Sequence, residues 1–541
     1  MVRSDWQVDV CSGHRGPNYV LSEDGGAFKE ENLQKLGPDK DGTTMHISFA
    51  DLAKNGRLDM FVGNWSTGPN YINAPQSRDM ILRATEHPRG YDSEVLGGVT
   101  GETMTAQFAD FNNDGNLDLY VGHDYIMDSF SDRVLLGDGK GGFTPAGEEF
   151  NQKFSGARST MVIDGGDIDN DLQPEYYIGQ IAYMTAHDSV SAAAKKRITH
   201  DRLCALENLS GEALQKCRGD VTFRTALVRA ANFVTDACAA LADEDEKNAC
   251  LTHLVNYRTR CVPAEYTAGM VQKLPQDVVA GASDAASPRY MRFCDVVQKA
   301  HQAKENAAEK NLRAETLLKA GNDDNSNILL KQKMDGGYTD TAAETGTGFG
   351  GWTWNARFAD LDNDGWQDLF IVNGFPASPN LDHVLFYHNN GDGTFTEAGK
   401  DFGLTGYGYT AAYSYLDLNN DGALDIVTVP TDAPVRIYLN EKGIAKNAVQ
   451  IALRDNKTCN TRGLGAKIII TYQENGEEKR QMREIKGSGG YKSYDQPLAH
   501  FGLDTAESIS AIEIAWPDGG TSRLEGAFAA GRQYRLSRRG E

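Results

Sequence analysis

Five copies of one acidic loop, set at a near-constant interval, limit what this chain can fold into more than any other feature. The fullest copy is Asp360-Leu-Asp362-Asn-Asp364-Gly365-Trp-Gln-Asp368, with side-chain oxygens at positions 1, 3, 5 and 9 and glycine at 6. So many carboxylates in one turn repel one another unless a cation sits between them. An all-oxygen set of this density suits Ca²⁺, which takes six to eight oxygen ligands. An EF-hand needs a bidentate Glu at position 12, where this loop has Ile371, and a helix on each side. The flanks here, Ala-Arg-Phe-Ala and Leu-Phe-Ile-Val, are short, aromatic and β-branched, so the loop is expected at the tip of a β-hairpin, with Asp368 replacing the missing Glu.

The other copies supply the remaining candidate ligands. They are Asp110, Asn112, Asp114, Asn116 and Asp118; Asp167, Asp169, Asp171 and Glu175; and Asp417, Asn419, Asp421 and Asp425. The third loop has Leu172 in place of glycine, and the first, from Asp51 to Asp59, lacks an oxygen at position 3. First aspartates fall 59, 57 and 57 residues apart (110 − 51, 167 − 110, 417 − 360). The interval 360 − 167 = 193 is one period plus an insertion of about 136 residues. Glycine turns followed by an aromatic residue (Gly142-Phe143, Gly337-Tyr338, Thr394-Phe395) recur between the loops. Each unit reads as strand, glycine turn, strand, then a glycine-rich stretch, strand, aspartate loop and strand. Four short antiparallel strands per unit predict a mainly β chain folded as a β-propeller. Residues 17–65 are expected to hold the first unit, with Val435-Arg-Ile-Tyr-Leu either starting a further blade or completing a split one.

The propeller is expected over 1–184 and 326–445, interrupted by an α-helical, cysteine-rich insertion at 185–325 and followed by a small all-β domain at 446–541. The insertion is rich in Ala, Lys and Glu and holds Cys204, Cys217, Cys238, Cys250, Cys261 and Cys294. An even cysteine count without a Cys-x-x-Cys pair favours disulfides over zinc. Sequential pairing within the insertion is the working expectation, which leaves Cys11 and Cys459 to join the N-terminus to the last domain.

A net charge of −22 repels nucleic acid and anionic membranes. No apolar run approaches the roughly 18 residues that span a bilayer. The first residues do not form a signal peptide, so a mature start with its leader removed is expected. Calcium loops with disulfides point to a secreted, periplasmic or cell-surface protein. Gly346-Thr-Gly-Phe-Gly-Gly351 matches a dinucleotide fingerprint in letters only, because it precedes a strand. His383 and His388 are not expected to share a metal, and Trp65, Trp352, Trp354 and Trp366 are expected to pack between blades.

The repeats resemble FG-GAP (VCBS-type) repeats. Asn460-Thr-Arg-Gly-Leu-Gly-Ala-Lys-Ile, Arg483-Glu-Ile-Lys-Gly-Ser-Gly-Gly-Tyr491, His500-Phe-Gly-Leu and Ile512-Glu-Ile-Ala-Trp516-Pro-Asp-Gly resemble the ASPIC/UnbV domain. The combination is similar to the cartilage-acidic-protein-1-like family. That resemblance implies about seven blades, calcium on the blade loops (three to five ions), an extracytoplasmic location and no assigned catalytic residue. The functional expectation is a non-enzymatic binding or adhesion module for an extracellular protein or glycan. The alternatives are an extracellular enzyme acting on glycans or phosphoesters, and a structural subunit of an envelope assembly.

Overall fold

The computed structural model describes residues 43–65, 78–86, 90–96, 103–123, 132–147, 150, 159–181, 327–333, 336–374, 384–404, 410–430 and 435–539, and the backbone strands at 6–9, 18–24 and 27–36. The insertion and seven of the eight cysteines, all but Cys459, lie outside the described residues.

An N-terminal three-stranded sheet is formed by β1 (Trp6–Asp9), β2 (Asn18–Asp24) and β3 (Ala27–Leu36). Five sheets of one plan follow. The first comprises β4 (Thr43–Ala50), β5 (Asp59–Trp65), β6 (Met80–Ala84) and β7 (Tyr91–Val95). The second holds β8 (Thr103–Ala109), β9 (Asp118–His123), β10 (Arg133–Gly137) and β11 (Phe143–Pro145). The third holds β12 (Thr160–Gly166), β13 (Glu175–Gln180), β14 (Ile328–Gln332) and β15 (Tyr338–Asp340), followed by a short helix, α1 (Ala342–Thr345). The fourth holds β16 (Thr353–Ala359), β17 (Asp368–Asn373), β18 (Leu385–Asn389) and β19 (Phe395–Glu397). The fifth stops at three strands, β20 (Thr410–Leu416), β21 (Asp425–Pro430) and β22 (Arg436–Tyr438).

Every aspartate loop joins the first two strands of its sheet, and all strand pairs within these sheets are antiparallel. This changes the phase expected from the sequence, where the loop came late in each unit. The early strands β2 and β3 pair with β1 rather than leading into the first loop, and the stretch at 435–439 completes the fifth sheet. The insertion separates β13 from β14, which nonetheless pair directly.

The strand after the loop is buried along its length in the second, third and fourth sheets, as expected for a sheet covered on both faces, whereas in the fifth Val429 is exposed. First strands of successive sheets lie side by side around an axis. The core is divided between the sheets: Phe61 and Ile81 meet Phe108 and Val121, Phe111 and Tyr120 meet Tyr176 and Ile178, and Tyr177 and Leu329 meet Phe358 and Leu369.

The C-terminal domain is two packed sheets over one core. The first is β26 (Ala499–Asp504), β23 (Asn447–Asp455) and β29 (Arg532–Arg538). The second is β25 (Glu477–Glu484), β24 (Lys467–Glu474), β27 (Ser508–Ala515) and β28 (Thr521–Ala529). Asn475-Gly476 makes the expected tight turn, both residues having positive φ.

The connection from β25 to β26, residues 485–498, enters the propeller axis. Gly487 O accepts Phe49 N from the first sheet, and Lys486 Nζ reaches Asp164 of the third at 2.5 Å. Asn355 of the fourth sheet donates to Ser493 Oγ. Asp495 pairs with Arg357 at 2.5 Å and accepts Tyr415 N of the fifth. Tyr491 packs with Trp354, Met104 and Met161, and Trp65 and Trp352 lie in the same cluster at the end of the first strands away from the loops.

Candidate metal centres

The loop geometry follows from three backbone demands. Position 4 is left-handed, held by Asn113, Asn170, Asn363 and Asn420 at φ 58° and by Lys54 at 52°. Position 6 is left-handed too, which glycine accepts at Gly56, Gly115, Gly365 and Gly422 and Leu172 adopts at φ 70°. Between them the first aspartate gathers the turn. Asp360 Oδ1 accepts Asp364 N and Oδ2 accepts Gly365 N, at 3.1 and 2.8 Å. Asp110 and Asp417 repeat both bonds. The position-5 acids Asp114, Asp364 and Asp421 accept the position-7 N–H.

The acid at position 9 is buried and binds backbone on two sides. Asp368 accepts Leu361 N at 3.0 Å and Asn389 N at 2.9 Å, tying the loop to the third strand. Asp118 does the same with Phe111 N and Gly137 N, and Asp425 with Leu418 N and Asn440 N. Glu175 accepts Ile168 N. A carboxylate oxygen that accepts one N–H keeps a second lone pair for a cation.

Oxygens converge most closely in the third and fourth loops. Asp167, Asp169 and Asp171 lie together, as do Asp360, Asp362 and Asp368. Burial first, and then the charges of Asp364 and Asp362, push the Asp360 carboxyl up to about 7. Burial, then Asp169, raises Glu175 to about 8. Burial raises Asp118 to about 6, with Asp110 and Asp114 adding to it. These acids are costly to ionise together, and a divalent cation would relieve that cost. Asp169 Oδ1 and Asp362 Oδ1 are buried with no hydrogen-bond partner, as expected of oxygens suited to a metal. The donor set therefore fits calcium.

Cationic side chains already approach two of the loops. His388 Nε2 lies 3.4 Å from Asp362 and 3.6 Å from Asp364, and these contacts raise its pKa to about 10. Lys446 Nζ lies 3.1 Å from Asp362. Burial acts to raise Asp362, but His388 and Lys446 together hold it below the usual carboxylate range. Lys331 pairs with Asp169 in the third loop. Sequence reasoning missed all three, because each comes from a distant strand or linker whose register the sequence does not reveal. His383 lies outside the described residues. Among the described residues no Lys, Arg or His forms an ion pair with Asp110, Asp114, Asp417 or Asp421. Asn116 turns its Oδ1 to Lys54 Nζ at 2.9 Å, away from its own loop. Cys459 is exposed, and Cys11, its expected partner, lies outside the described residues.

The C-terminal domain rests on these loops. Met482 N donates to Asp167 Oδ2, Gly502 N to Asp360 Oδ2, Gln450 Nε2 to Asp417 Oδ2, and Asn460 N to Gly56 O.

A second recurrent device lies at the other end of the sheets. Asp79, Asp132 and Asn327 precede the third strand of their sheets. Each accepts an N–H at the end of the second strand, from Asn64, His123 and Gln180. Each also bonds a threonine opening the next sheet, Thr103, Thr160 or Thr353. A glycine in the second strand (Gly63, Gly122, Gly179) makes room for that threonine's methyl group.

Residues 456–540 match the family described as ASPIC and UnbV, and residues 110–178, 317–371 and 377–428 match the FG-GAP-like repeat. Over 166 residues the chain is 27% identical to Cartilage acidic protein 1 of Mus musculus and of Homo sapiens, and 26% identical to that of Xenopus tropicalis. The matched region is 30% of this chain and 24–25% of each relative, so the chain spans about a quarter of the length of the curated relatives it matches. Among the described residues no helix is long and apolar enough to cross a membrane.

Proposed function

Because the chain carries FG-GAP-like repeats and an ASPIC and UnbV domain, we propose that it is an exported, calcium-binding β-propeller that works by binding rather than by catalysis. The supporting observation is the repetition of one loop, with the same side-chain-to-backbone wiring, around a single rim. In this reading side chains at positions 1, 3, 5 and 9 of the second to fifth loops hold three to five calcium ions in all. Calcium supplies neutralisation there, letting acids that repel one another hold the hairpin tips in one shape. The first loop, with Lys54 at position 4 and no oxygen at position 3, is the weakest candidate.

The domain limits that go with this reading are 1–184 and 326–445 for the propeller, 185–325 for the insertion and 446–541 for the C-terminal domain. The rim and the insertion offer the surface for an extracellular protein or glycan, since loops on a rigid scaffold are where recognition usually sits. The test is a glycan and surface-protein array probed with the full chain, in calcium and then in chelator, beside a glycosidase and phosphoesterase screen. Saturable, calcium-dependent capture of one ligand class without turnover is expected. Turnover with no capture would reverse the assignment in favour of an enzyme.

A further inference from the structure

The connection at 485–498 does not fill the axis. It leaves a cavity of about 110 Å³ walled by Gln107, Tyr176 and Gln367 of the propeller and by Arg483, Glu484 and His500 of the C-terminal domain. Three of these side chains are more than nine-tenths buried and carry a polar atom without a hydrogen-bond partner: Gln107 Oε1, Gln367 Oε1 and His500 Nδ1. Buried polar atoms are nearly always paired, and each one left unpaired costs ~1–3 kcal/mol. Three around one space mark a place where donors are wanted.

The histidine's tautomer follows from its neighbour. Asn363 gives its amide N–H groups to Gly422 O and Gly443 O, so its Oδ1 faces His500 Nε2 at 2.7 Å as an acceptor. Nε2 therefore carries the hydrogen, and Nδ1 presents a lone pair to the cavity. All three loose ends are then acceptors.

The charges in the wall are already matched. Lys486 pairs with Asp164 and Asp495 with Arg357. Lys467 and Lys486 offset Glu484, and Asp360 and Asp167 offset Arg483. At about 30 Å³ for each water, the space takes roughly four waters or one small molecule of similar size.

We propose that this axial cavity is a binding site for a small, neutral, polyhydroxylated compound, about the size of glycerol, whose hydroxyl groups donate to Gln107, Gln367 and His500. The wall also includes Asp167 and Asp360, so the cavity abuts the third and fourth loops, but none of the three acceptors is itself among the proposed loop ligands.

The test uses the full chain in calcium, with glycerol and ethylene glycol as neutral probes. Ethanolamine and acetate serve as charged comparators. Binding is followed by saturation-transfer NMR and titration calorimetry. At least one neutral probe is expected to bind saturably. Gln107→Leu is expected to weaken it about tenfold, equivalent to about 1.4 kcal/mol, with melting temperature and calcium uptake unchanged; His500→Phe is expected to weaken it likewise and also to lower the melting temperature, because Asn363 Oδ1 loses its donor. Should His500→Phe fail to fold, Gln107→Leu and the near-isosteric Gln107→Glu decide the matter alone. Binding of only a charged probe, binding indifferent to Gln107, or a crystal grown with glycerol that shows only ordered waters in the cavity would each overturn the proposal.

Discussion

Leu172 holds a left-handed backbone, φ 70°, at a loop position where the first, second, fourth and fifth loops place glycine. A side chain there costs ~1–2 kcal/mol, partly offset by glycine's extra freedom in the unfolded chain. Leu172→Gly is therefore expected to stabilise the protein by about 0.5–1 kcal/mol, read as a higher midpoint in urea at an unchanged slope. Asp368 makes the opposite case. Its carboxylate satisfies Leu361 N and Asn389 N inside the fourth sheet. Asp368→Ala leaves both donors without an acceptor and is expected to cost about 3 kcal/mol in the same assay. The sequence showed these acids and their spacing clearly. It did not show that position 9 is a buried clamp on the third strand, because that role depends on a partner roughly twenty residues away. Nor did it reveal the left-handed asparagine at position 4, although the repeated Asn-Asp-Gly triplet carried the signal.

Between sheets, the recurring contact is the acid or amide that joins the end of one second strand to the threonine opening the next sheet. Asp132 accepts His123 N, Thr160 Oγ1 and the Tyr120 hydroxyl together. Asp132→Ala is expected to cost about 3 kcal/mol, with hydrogen-exchange protection lost first along β9 and β12. Asp79 and Asp132 lie 53 residues apart, short of the loop period, and no single copy stands out from an ordinary loop polar residue. The phase of the strands was misjudged for a related reason: a repeat read from sequence has no marked beginning, and only pairing assigns the loop to the first two strands.

The loops also set a pH dependence. Burial raises Asp118 and Asp167 to about 6, and burial with neighbouring acids raises Asp360 to about 7. Each value lies above that of an unfolded aspartate, so without a cation the folded chain retains protons that the unfolded chain has released. Stability from these groups is full below about pH 4 and is lost as pH rises through 6 and 7. In chelator, the melting temperature is expected to fall between about pH 5 and pH 8. With saturating calcium that fall should disappear, and uptake near pH 6.5 should release protons, measurable by calorimetry in buffers of different ionisation enthalpy.

At the level of the whole molecule, the C-terminal domain closes the propeller instead of trailing from it. Its backbone meets the first, third and fourth loops, the Gln450 side chain meets the fifth, and residues 485–498 run into the axis. Arg357 is buried between the rings of Tyr413 and Tyr415, with Asp495 as its counter-ion. Asp495→Ala strands that charge and is expected to cost about 3 kcal/mol, at the low end of the range because Asp495 is partly exposed. The separate domain was legible from the end of the aspartate repeats and the change in strand pattern. Its docking was not, because Gly487, Tyr491 and Asp495 lie in a glycine- and polar-rich stretch that reads as surface loop until the axis is there to receive it.

The most direct test of the central claim is calcium binding by equilibrium dialysis on chelator-stripped protein, repeated with Asp110→Asn/Asp114→Asn and with Asp417→Asn/Asp421→Asn. The second and fifth loops have no described ion-pair partner for these acids. Each double substitution is therefore expected to remove one saturable ion and lower the melting temperature in calcium, while leaving the melting temperature in chelator nearly unchanged. No saturable uptake by the unsubstituted chain at millimolar calcium, with the loops still ordered, would contradict the account.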